Sequence, residues 1–223
     1  MQGKLIVFEG GDGAGKTTQL KQVQEWLEHS PLLPLGCAIA VTREPGGTTL
    51  GKYLRQALLG TEELAREPLH ERTELLLYAA DRAHHVETML KPELARGTII
   101  LCDRYTDSTI AYQGYGRRLD RRLIDQLNLI ATGGLQPDLT LWLDVDATTG
   151  AARTKQRGVA DRMEQADLDF HQRVRQGFRE LHEREPQRVV RIDGEQDEAS
   201  VAHQIQAVLE QRFRQWYPTP SHP

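Results

Sequence analysis

Residues 5–17 read LIVFEGGDGAGKT, an apolar run followed at once by a glycine-rich loop and a Lys-Thr pair. From Gly10 to Thr17 the segment fits the phosphate-loop pattern G-x-x-x-x-G-K-[ST]. Glycines let backbone N–H groups curl around phosphate oxygens, and the helix expected from Gly15 turns its positive end towards them. The pattern predicts a strand, a loop and a helix that together bind a nucleoside triphosphate.

Two side chains of this loop supply chemistry beyond the backbone. Lys16 is expected to bring a mobile charge to the β and γ phosphates, and Thr17 a hydroxyl ligand for Mg²⁺. The expected ATP-binding residues are Gly10, Gly11, Asp12, Gly13, Ala14, Gly15, Lys16, Thr17 and Thr18. The motif leaves open what is done with the triphosphate.

Short apolar runs recur along the rest of the chain and alternate with stretches of helical period. The five runs are Leu5–Phe8, Cys37–Val41, Thr98–Cys102, Leu139–Leu143 and Val189–Ile192. Most are apolar on both faces, as strands of a helix-covered parallel sheet should be. Phe170, Val174, Phe178 and Leu181 mark one of the intervening helices. The alternation predicts an α/β fold with a five-stranded parallel sheet and right-handed crossovers.

Composition and charge narrow the range of functions. The 223 residues include 28 Lys and Arg and 32 Asp and Glu, so the formal charge of −4 argues against a surface devoted to nucleic acid. The first apolar run is too short for a signal peptide or a membrane span. Cys37 and Cys102 each lie in an apolar run, which indicates buried thiols rather than a disulfide framework. We expect a cytoplasmic protein without nucleic-acid or membrane partners.

Two classes of phosphate-loop protein remain open at this point, a regulatory GTPase switch and a phosphotransferase. A switch usually reads guanine with an N/T-K-x-D segment, and the nearest match, residues 154–157 (TKQR), lacks the Asp. Five arginines instead lie at strand ends and in loops, and a planar guanidinium suits phosphate. They are Arg43, Arg82, Arg104, Arg153 and Arg157. This distribution favours phosphoryl transfer between two anionic small molecules.

Four segments resemble bacterial thymidylate kinases and occur in that family's order. They are FEGGDGAGKTTQ (8–19), TREPGGT (42–48), LLLYAADRAHH (75–85) and DRYTDSTIAYQG (103–114). The resemblance implies a three-layer P-loop nucleoside monophosphate kinase fold that transfers the γ-phosphoryl group of Mg·ATP to dTMP, giving dTDP and ADP. It also implies one kinase domain over 1–215, a small helical lid at about 147–163, a loose tail at 216–223 and a homodimer. Another nucleoside or small-metabolite kinase is the alternative within this fold.

The resemblance assigns a set of residues to dTMP. They are Asp12, Arg43, Tyr78, Arg82, Arg104, Thr109, Tyr112 and Gln113. Tyr78 and Arg82 are four residues apart and share a helix face, where the ring can stack on a base. Arg82 presents only donors, which suit the 4-keto oxygen of thymine or uracil and oppose the 4-amino group of cytosine. A core tyrosine with a surface arginine is the alternative, and Arg43 could equally pair with Glu44.

The transfer itself is expected to depend on cations and one metal site. Asp103 follows the third strand, at the carboxyl end where ligands of α/β proteins bind, and with Thr17 it is expected to hold Mg²⁺, the carboxylate through water. A purely structural carboxylate is the alternative. Residues 151–162 (AARTKQRGVADR) are basic and match the family's lid, although such a run is usually a solvated face. Because the phosphate loop carries no arginine, the resemblance assigns catalysis to Lys16, Arg104, Arg153 and Arg157.

Overall fold

The apolar runs form one parallel sheet in the computed structural model, which describes residues 2–60, 69–158 and 161–218. The strands are β1 (Lys4–Glu9), β2 (Ile39–Arg43), β3 (Ile99–Asp103), β4 (Leu139–Asp144) and β5 (Val189–Asp193). Their order is β2-β3-β1-β4-β5, and every neighbouring pair is parallel. The predicted α/β fold with a five-stranded parallel sheet is confirmed.

The edge strand β2 differs from its prediction. It begins at Ile39, two residues after the expected start at Cys37. It is an edge strand and its Val41 is exposed, whereas β1, β3 and β4 are buried along almost their whole length. An apolar run alone does not show which of its residues pair with the adjacent strand.

The helices of the described residues include the predicted ones and several that hydrophobic period did not reveal. They are α1 (Lys16–Glu28), α2 (Thr49–Leu59), α3 (Glu71–His85), α4 (Lys91–Ala95), α5 (Thr106–Thr109), α6 (Arg121–Thr132), α7 (Ala147–Arg157), α8 (Leu168–Arg184) and α9 (Glu198–Trp216). π-helical segments at Val86–Leu90 and Ile110–Gly116 continue α3 and α5. Among the described helices, none has the length and apolar character required to cross a membrane.

These helices cover both faces of the sheet and so make three layers. Ile6 and Phe8 of β1 pack in the cluster formed with α1 and α9. Leu5 and Val7 belong to a second cluster on the opposite face, and Trp142 of β4 packs with α8 in a third. Successive strand residues point to opposite faces, so burial on both sides explains the nearly continuous apolar runs.

The end of the last helix requires a correction to the predicted tail. The Trp216 ring lies 5.5 Å from that of Phe213, and the Tyr217 hydroxyl donates to the Gln2 carbonyl at 2.9 Å. Both aromatic side chains contact other parts of the protein, so residue 216 is too early a start for a loose tail. The predicted tail's residues 219–223 lie outside the described ranges.

The register of the sheet brings two functional loops together. β1 and β3 are neighbours, with Phe8 opposite Asp103, so the phosphate loop and the segment starting at Arg104 leave the same edge. The Arg104 N–H donates to the Phe8 carbonyl at 3.0 Å, which extends this pairing one residue beyond β3. The carboxyl ends of adjacent parallel strands form the crevice in which α/β proteins bind ligands.

Candidate active site

A cavity of about 590 Å³ opens at the carboxyl ends of β1 and β3. The phosphate loop, the end of β2, α3, α5 with its π-helical continuation, and α7 contribute to its wall. The residues predicted for dTMP all line it: Asp12, Arg43, Tyr78, Arg82, Arg104, Thr109, Tyr112 and Gln113. Lys16, Thr17, Asp103 and Arg153 line the same cavity. Residues predicted for the two substrates therefore share one enclosure.

The phosphate loop closes around the ammonium group of Lys16. Its Nζ donates to the carbonyls of Gly10 and Gly11 at 3.1 and 2.8 Å. Gly10 and Gly11 are not among the residues that line this cavity, whereas residues 12–18 of the same loop are. Burial, together with the nearby Arg104 charge, lowers the pKa of Lys16 to about 8. The ammonium is thus held by backbone oxygens at the position where the motif is expected to meet phosphate.

Gly13 allows the phosphate loop to approach α7 closely. Its φ is 77°, and a Cβ at this position would lie 2.3 Å from the carbonyl oxygen of Gly150. A larger residue would clash with backbone that cannot give way, so glycine is required here. The contact fixes the loop against the helix that carries Arg153.

Arg104 occupies the centre of the site and has a φ of 72°, which is rare for a residue other than glycine. Its guanidinium donates to Asp12 Oδ1 at 2.6 Å, to the Gly10 carbonyl at 3.0 Å, to Ser108 Oγ at 3.1 Å and to the Tyr112 hydroxyl at 3.0 Å. The Tyr112 hydroxyl in turn donates to Asp12 Oδ2 at 2.9 Å. Burial would raise the pKa of Asp12, but the charges of Arg104 and Lys16 outweigh it and keep the pKa below its usual value.

Glu9, whose role was not predicted from the sequence, supports the strained turn at Arg104. Its carboxylate accepts from the backbone N–H groups of Tyr105 and Ser108 at 2.8 and 3.0 Å, and from Ser108 Oγ at 2.6 Å. Burial raises its pKa to about 7. The sequence does contain one sign of this role, because Glu9 ends an otherwise apolar strand and a carboxylate that is buried there needs hydrogen-bond partners.

Thr17 and Asp103 form a small cluster of oxygen ligands. The Thr17 hydroxyl donates to Asp103 Oδ2 at 3.3 Å. Oδ1 of Asp103 is buried and has no hydrogen-bond partner among the described residues. A buried carboxylate oxygen without a partner is costly unless a ligand or water satisfies it. Carboxylate and hydroxyl oxygens are the donors that Mg²⁺ prefers, so these two residues fit the ion.

Arg82 is buried rather than at the surface, which excludes the alternative of a surface arginine. Nε donates to Glu44 Oε2 at 2.8 Å, and Nη1 donates to Thr109 Oγ1 and to Asn128 Oδ1 at 2.8 and 2.9 Å. Nη2 donates to the Tyr105 carbonyl at 2.9 Å. Guanidinium has five N–H donors, so within the described part of the chain one N–H of Nη2 is left for a ligand in the cavity.

A second layer of residues holds Arg82 from behind. The ion-pair partner of Glu44 is Arg82 rather than the neighbouring Arg43. The other carboxylate oxygen of Glu44, Oε1, lies 2.9 Å from His85 Nδ1. His85 Nε2 lies 2.7 Å from Thr42 Oγ1. The role of His85 was not predicted from the sequence, and Glu44 was considered only as a partner of Arg43. The available signal was that His85 shares a helix face with Arg82 at a spacing of three.

The predicted lid arginines have different surroundings. Arg153 on α7 lines the cavity and donates from Nη1 to the Gly194 carbonyl at 3.1 Å. The backbone of Arg157 belongs to α7, but its side chain lies outside the described residues, as do residues 159–160. Arg162 pairs with Glu74 and donates from Nε to the Leu58 carbonyl at 2.9 Å. At least this cation of the basic run is therefore bound by protein groups rather than solvated.

Comparisons with known proteins agree with this geometry. The family model described as Thymidylate kinase matches residues 8–205. A thymidylate kinase from Cyanothece sp. is 55% identical, with 98% of each chain covered, and one from Trichodesmium erythraeum is 55% identical, with 97% and 99% covered. The crystal structure of thymidylate kinase from Ehrlichia chaffeensis superposes with a TM-score of 0.76 at 34% identity, covering 94% of this chain and 100% of that one. The chain belongs to the thymidylate kinase family.

Proposed function

We propose that this cavity is where the γ-phosphoryl group of Mg·ATP passes to dTMP. The chain is a nucleoside monophosphate kinase of its family, and the reaction phosphorylates dTMP with ATP to give dTDP and ADP, a step in dTTP synthesis. The observation that carries the assignment of the site is that the phosphate loop and the expected base-recognition residues line one cavity. Holding both substrates in one enclosure replaces an encounter in solution by a positioned transfer.

The acceptor is proposed to lie with its base between α3 and the π-helical segment. Tyr78 stacks on thymine, and the Arg82 N–H that has no partner among the described residues donates to the 4-keto oxygen. Thr109 and Gln113 complete the base contacts. Tyr112 fills the space of a ribose 2′-hydroxyl, and Asp12 meets the 3′-hydroxyl or the waters of the metal.

The transfer is proposed to depend on charge neutralisation, without a covalent intermediate. Arg104 and Arg43 bind the dTMP phosphate, with Arg104 exchanging its bond to Asp12 for one to the phosphate. Lys16 and the phosphate-loop amides bind the β and γ phosphates of ATP. Arg153 and Arg157 belong to a lid over 147–163, within a kinase domain spanning 1–215, and stabilise charge on the moving phosphoryl group.

Mg²⁺ is proposed to be held by Thr17 directly and by Asp103 through water. Two observations support this assignment: Asp103 Oδ1 has no hydrogen-bond partner among the described residues, and Asp103 Oδ2 lies 3.3 Å from the Thr17 hydroxyl. When bound, the ion neutralises phosphate charge between the β and γ groups. The protein's own contribution is to fix the two oxygen ligands at the mouth of the phosphate loop.

A homodimer and a cytoplasmic location, where ATP is available, are also proposed. Apolar side chains are exposed on α2, α3 and α6, which pack side by side. They are Leu50, Tyr53, Leu76, Leu123, Leu129 and Ile130. A concentration of exposed apolar residues on adjacent helices is typical of a protein interface, and a second copy of the chain is the proposed partner.

A panel of monophosphates with ATP tests the assignment. ADP release should be rapid with dTMP, detectable with dUMP and poor with dCMP, UMP and AMP. The missing methyl group of dUMP should cost about 1 kcal/mol, whereas a mismatched donor at the 4-position costs more. Equal rates with dCMP and dTMP would remove Arg82 from base recognition. ADP release that no acceptor stimulates would remove the kinase assignment.

A further inference from the structure

Glu74 is a completely buried carboxylate beside the cavity that the proposed reaction does not use. It lies on α3, one turn before Tyr78, and it is 0% exposed. Its Oε1 accepts from Gln113 Nε2 at 2.8 Å and from Arg117 Nε at 3.4 Å, and its Oε2 accepts from Arg117 Nη2 at 3.2 Å and also from Arg162. Glu74 therefore joins a predicted base-binding residue to two cations on other segments.

The carboxylate of Glu74 remains ionised in this environment. Burial alone would raise its pKa, but the hydrogen bond from Gln113 and the charges of Arg117 and Arg162 keep the pKa below its usual value. An ionised carboxylate accepts hydrogen bonds and cannot donate. The amide of Gln113 must therefore turn its NH₂ group towards Glu74, which directs the amide oxygen away from it.

The amide oxygen of Gln113 is available to a ligand. Gln113 lines the cavity, and its Oε1 has no hydrogen-bond partner among the described residues. Thr109, the other proposed base contact on this side of the cavity, accepts from Arg82 at 2.8 Å. The Thr109 hydroxyl can donate as well as accept, whereas an amide oxygen only accepts, so the fixed oxygen of Gln113 is the group that tests for an N–H on the base.

We propose that Glu74 is a positioning residue that locks the Gln113 amide with its oxygen towards the base, and so selects bases that carry N3–H. Thymine and uracil donate at N3, whereas cytosine accepts there, so a locked oxygen suits the first two and opposes the third. An amide that is free to rotate by 180° would present NH₂ and suit cytosine instead. The inference rests on the proposed placement of dTMP and adds the group that sets the amide's orientation.

Glu74→Gln tests the proposal because a neutral amide at this position can donate as well as accept. The discrimination ratio, kcat/KM for dTMP divided by kcat/KM for dCMP, should fall about tenfold, the scale of one hydrogen bond. The ratio should fall because kcat/KM for dTMP decreases, while kcat/KM for dCMP stays the same or increases. Arg117→Met is the matched control, because it removes one ion pair of Glu74 but leaves the bond to Gln113 and the ion pair with Arg162, which still favour the ionised carboxylate. It should keep the wild-type ratio.

A double-mutant cycle separates positioning from a merely structural role. In a Gln113→Ala background, Glu74→Gln should leave the ratio unchanged, because Glu74 acts through the amide. An equal loss for both substrates, or the same change in ratio with and without Gln113, overturns the proposal. If Glu74→Gln does not fold, Glu74→Asp replaces it, because the shorter side chain keeps the charge but withdraws the carboxylate from Gln113. An unchanged discrimination ratio in Glu74→Asp also overturns the proposal.

A wild-type enzyme that fails to discriminate dTMP from dCMP would instead refute the proposed base placement.

Discussion

At the scale of single residues, the site holds its charged groups in partnerships before any substrate arrives. Asp12 and Arg104 bind each other at 2.6 Å, and Lys16 is bound by two carbonyls. The left-handed conformation of Arg104 costs on the order of 1 kcal/mol. The four hydrogen bonds that its guanidinium donates, and the bonds from the backbone of this turn to Glu9, offset that strain. Such pairing fixes the orientation of these groups, so that Arg104 has only to exchange Asp12 for the dTMP phosphate.

Replacing Lys16 with Ala should lower kcat by about 10²-fold or more, with a smaller change in dTMP affinity. The charge is needed most when the γ-phosphoryl group lies between two oxygens. Steady-state kinetics with both substrates, combined with dTMP titration, measure the two effects. Normal turnover in this variant would contradict the assignment of the phosphate loop.

The depressed pKa of Lys16 predicts a pH dependence. In the free enzyme the ammonium loses its proton as pH rises through about 8, so kcat/KM for ATP should fall above that pH. An ordinary lysine would keep its charge to about pH 10. A kcat/KM that stays level to pH 9.5 would contradict the prediction. Lys16→Arg, which keeps its charge throughout, should lack this alkaline limb in whatever activity it retains.

The sequence predicted the residues that line the cavity but few of those that hold them. Lys16, Arg82 and Arg104 belong to short motifs whose spacing carries chemistry. Glu9 and Glu74 act through hydrogen bonds to residues that are distant in sequence. No local pattern shows such partners, because the fold alone brings them together.

At the scale of elements, α7 connects the phosphate loop to the end of β5. The Gly13–Gly150 approach fixes its first half, and Arg153 reaches the Gly194 carbonyl. Arg153 and Arg157 are four residues apart on this helix and so share a face. Both can therefore serve one phosphate group.

Arg153→Ala and Arg157→Ala should each lower kcat strongly while KM for ATP and dTMP changes little. Both are proposed to act on the transition state, so the double variant should lose less than the product of the single losses. Lys155→Ala is the control, because this exposed cation lies on the same helix outside the proposed machinery. Equally small effects of all three changes would indicate a solvated basic face and leave Arg104 as the catalytic arginine.

At the scale of the whole molecule, alternation of apolar runs and helical period was sufficient to predict a parallel sheet. The strands β1, β3, β4 and β5 lie within one residue of their predicted bounds, because burial on both faces leaves a continuous signal. The helix α2 and the π-helical segments were not predicted. Their form depends on packing against neighbours, which a single sequence does not display.

The proposed dimer predicts a change in oligomeric state on substitution of one exposed apolar residue. Ile130→Asp on α6 would place a charge in the proposed interface and should convert dimers to monomers in analytical ultracentrifugation. Leu35→Asp is the matched control, because Leu35 is fully exposed between α1 and β2 and lies on none of the three helices. A monomeric wild type, or dimers that persist in Ile130→Asp, would contradict the proposal.

The bonds that join Asp12 to Arg104 and to Tyr112 connect residues 92 and 100 positions apart. Because the phosphate-binding centre exists only when these segments are assembled, a nucleotide that binds it has no affinity for partly opened chains. By thermodynamic linkage, dTMP should then raise the free energy of unfolding of the entire domain by about 2.7 kcal/mol when its free concentration is a hundred times Kd. We expect a rise of roughly 5–10 °C in the thermal unfolding midpoint and slower proteolysis throughout the chain. A dTMP-saturated protein that unfolds and is digested like the free one would show that its ligand is held by one segment alone.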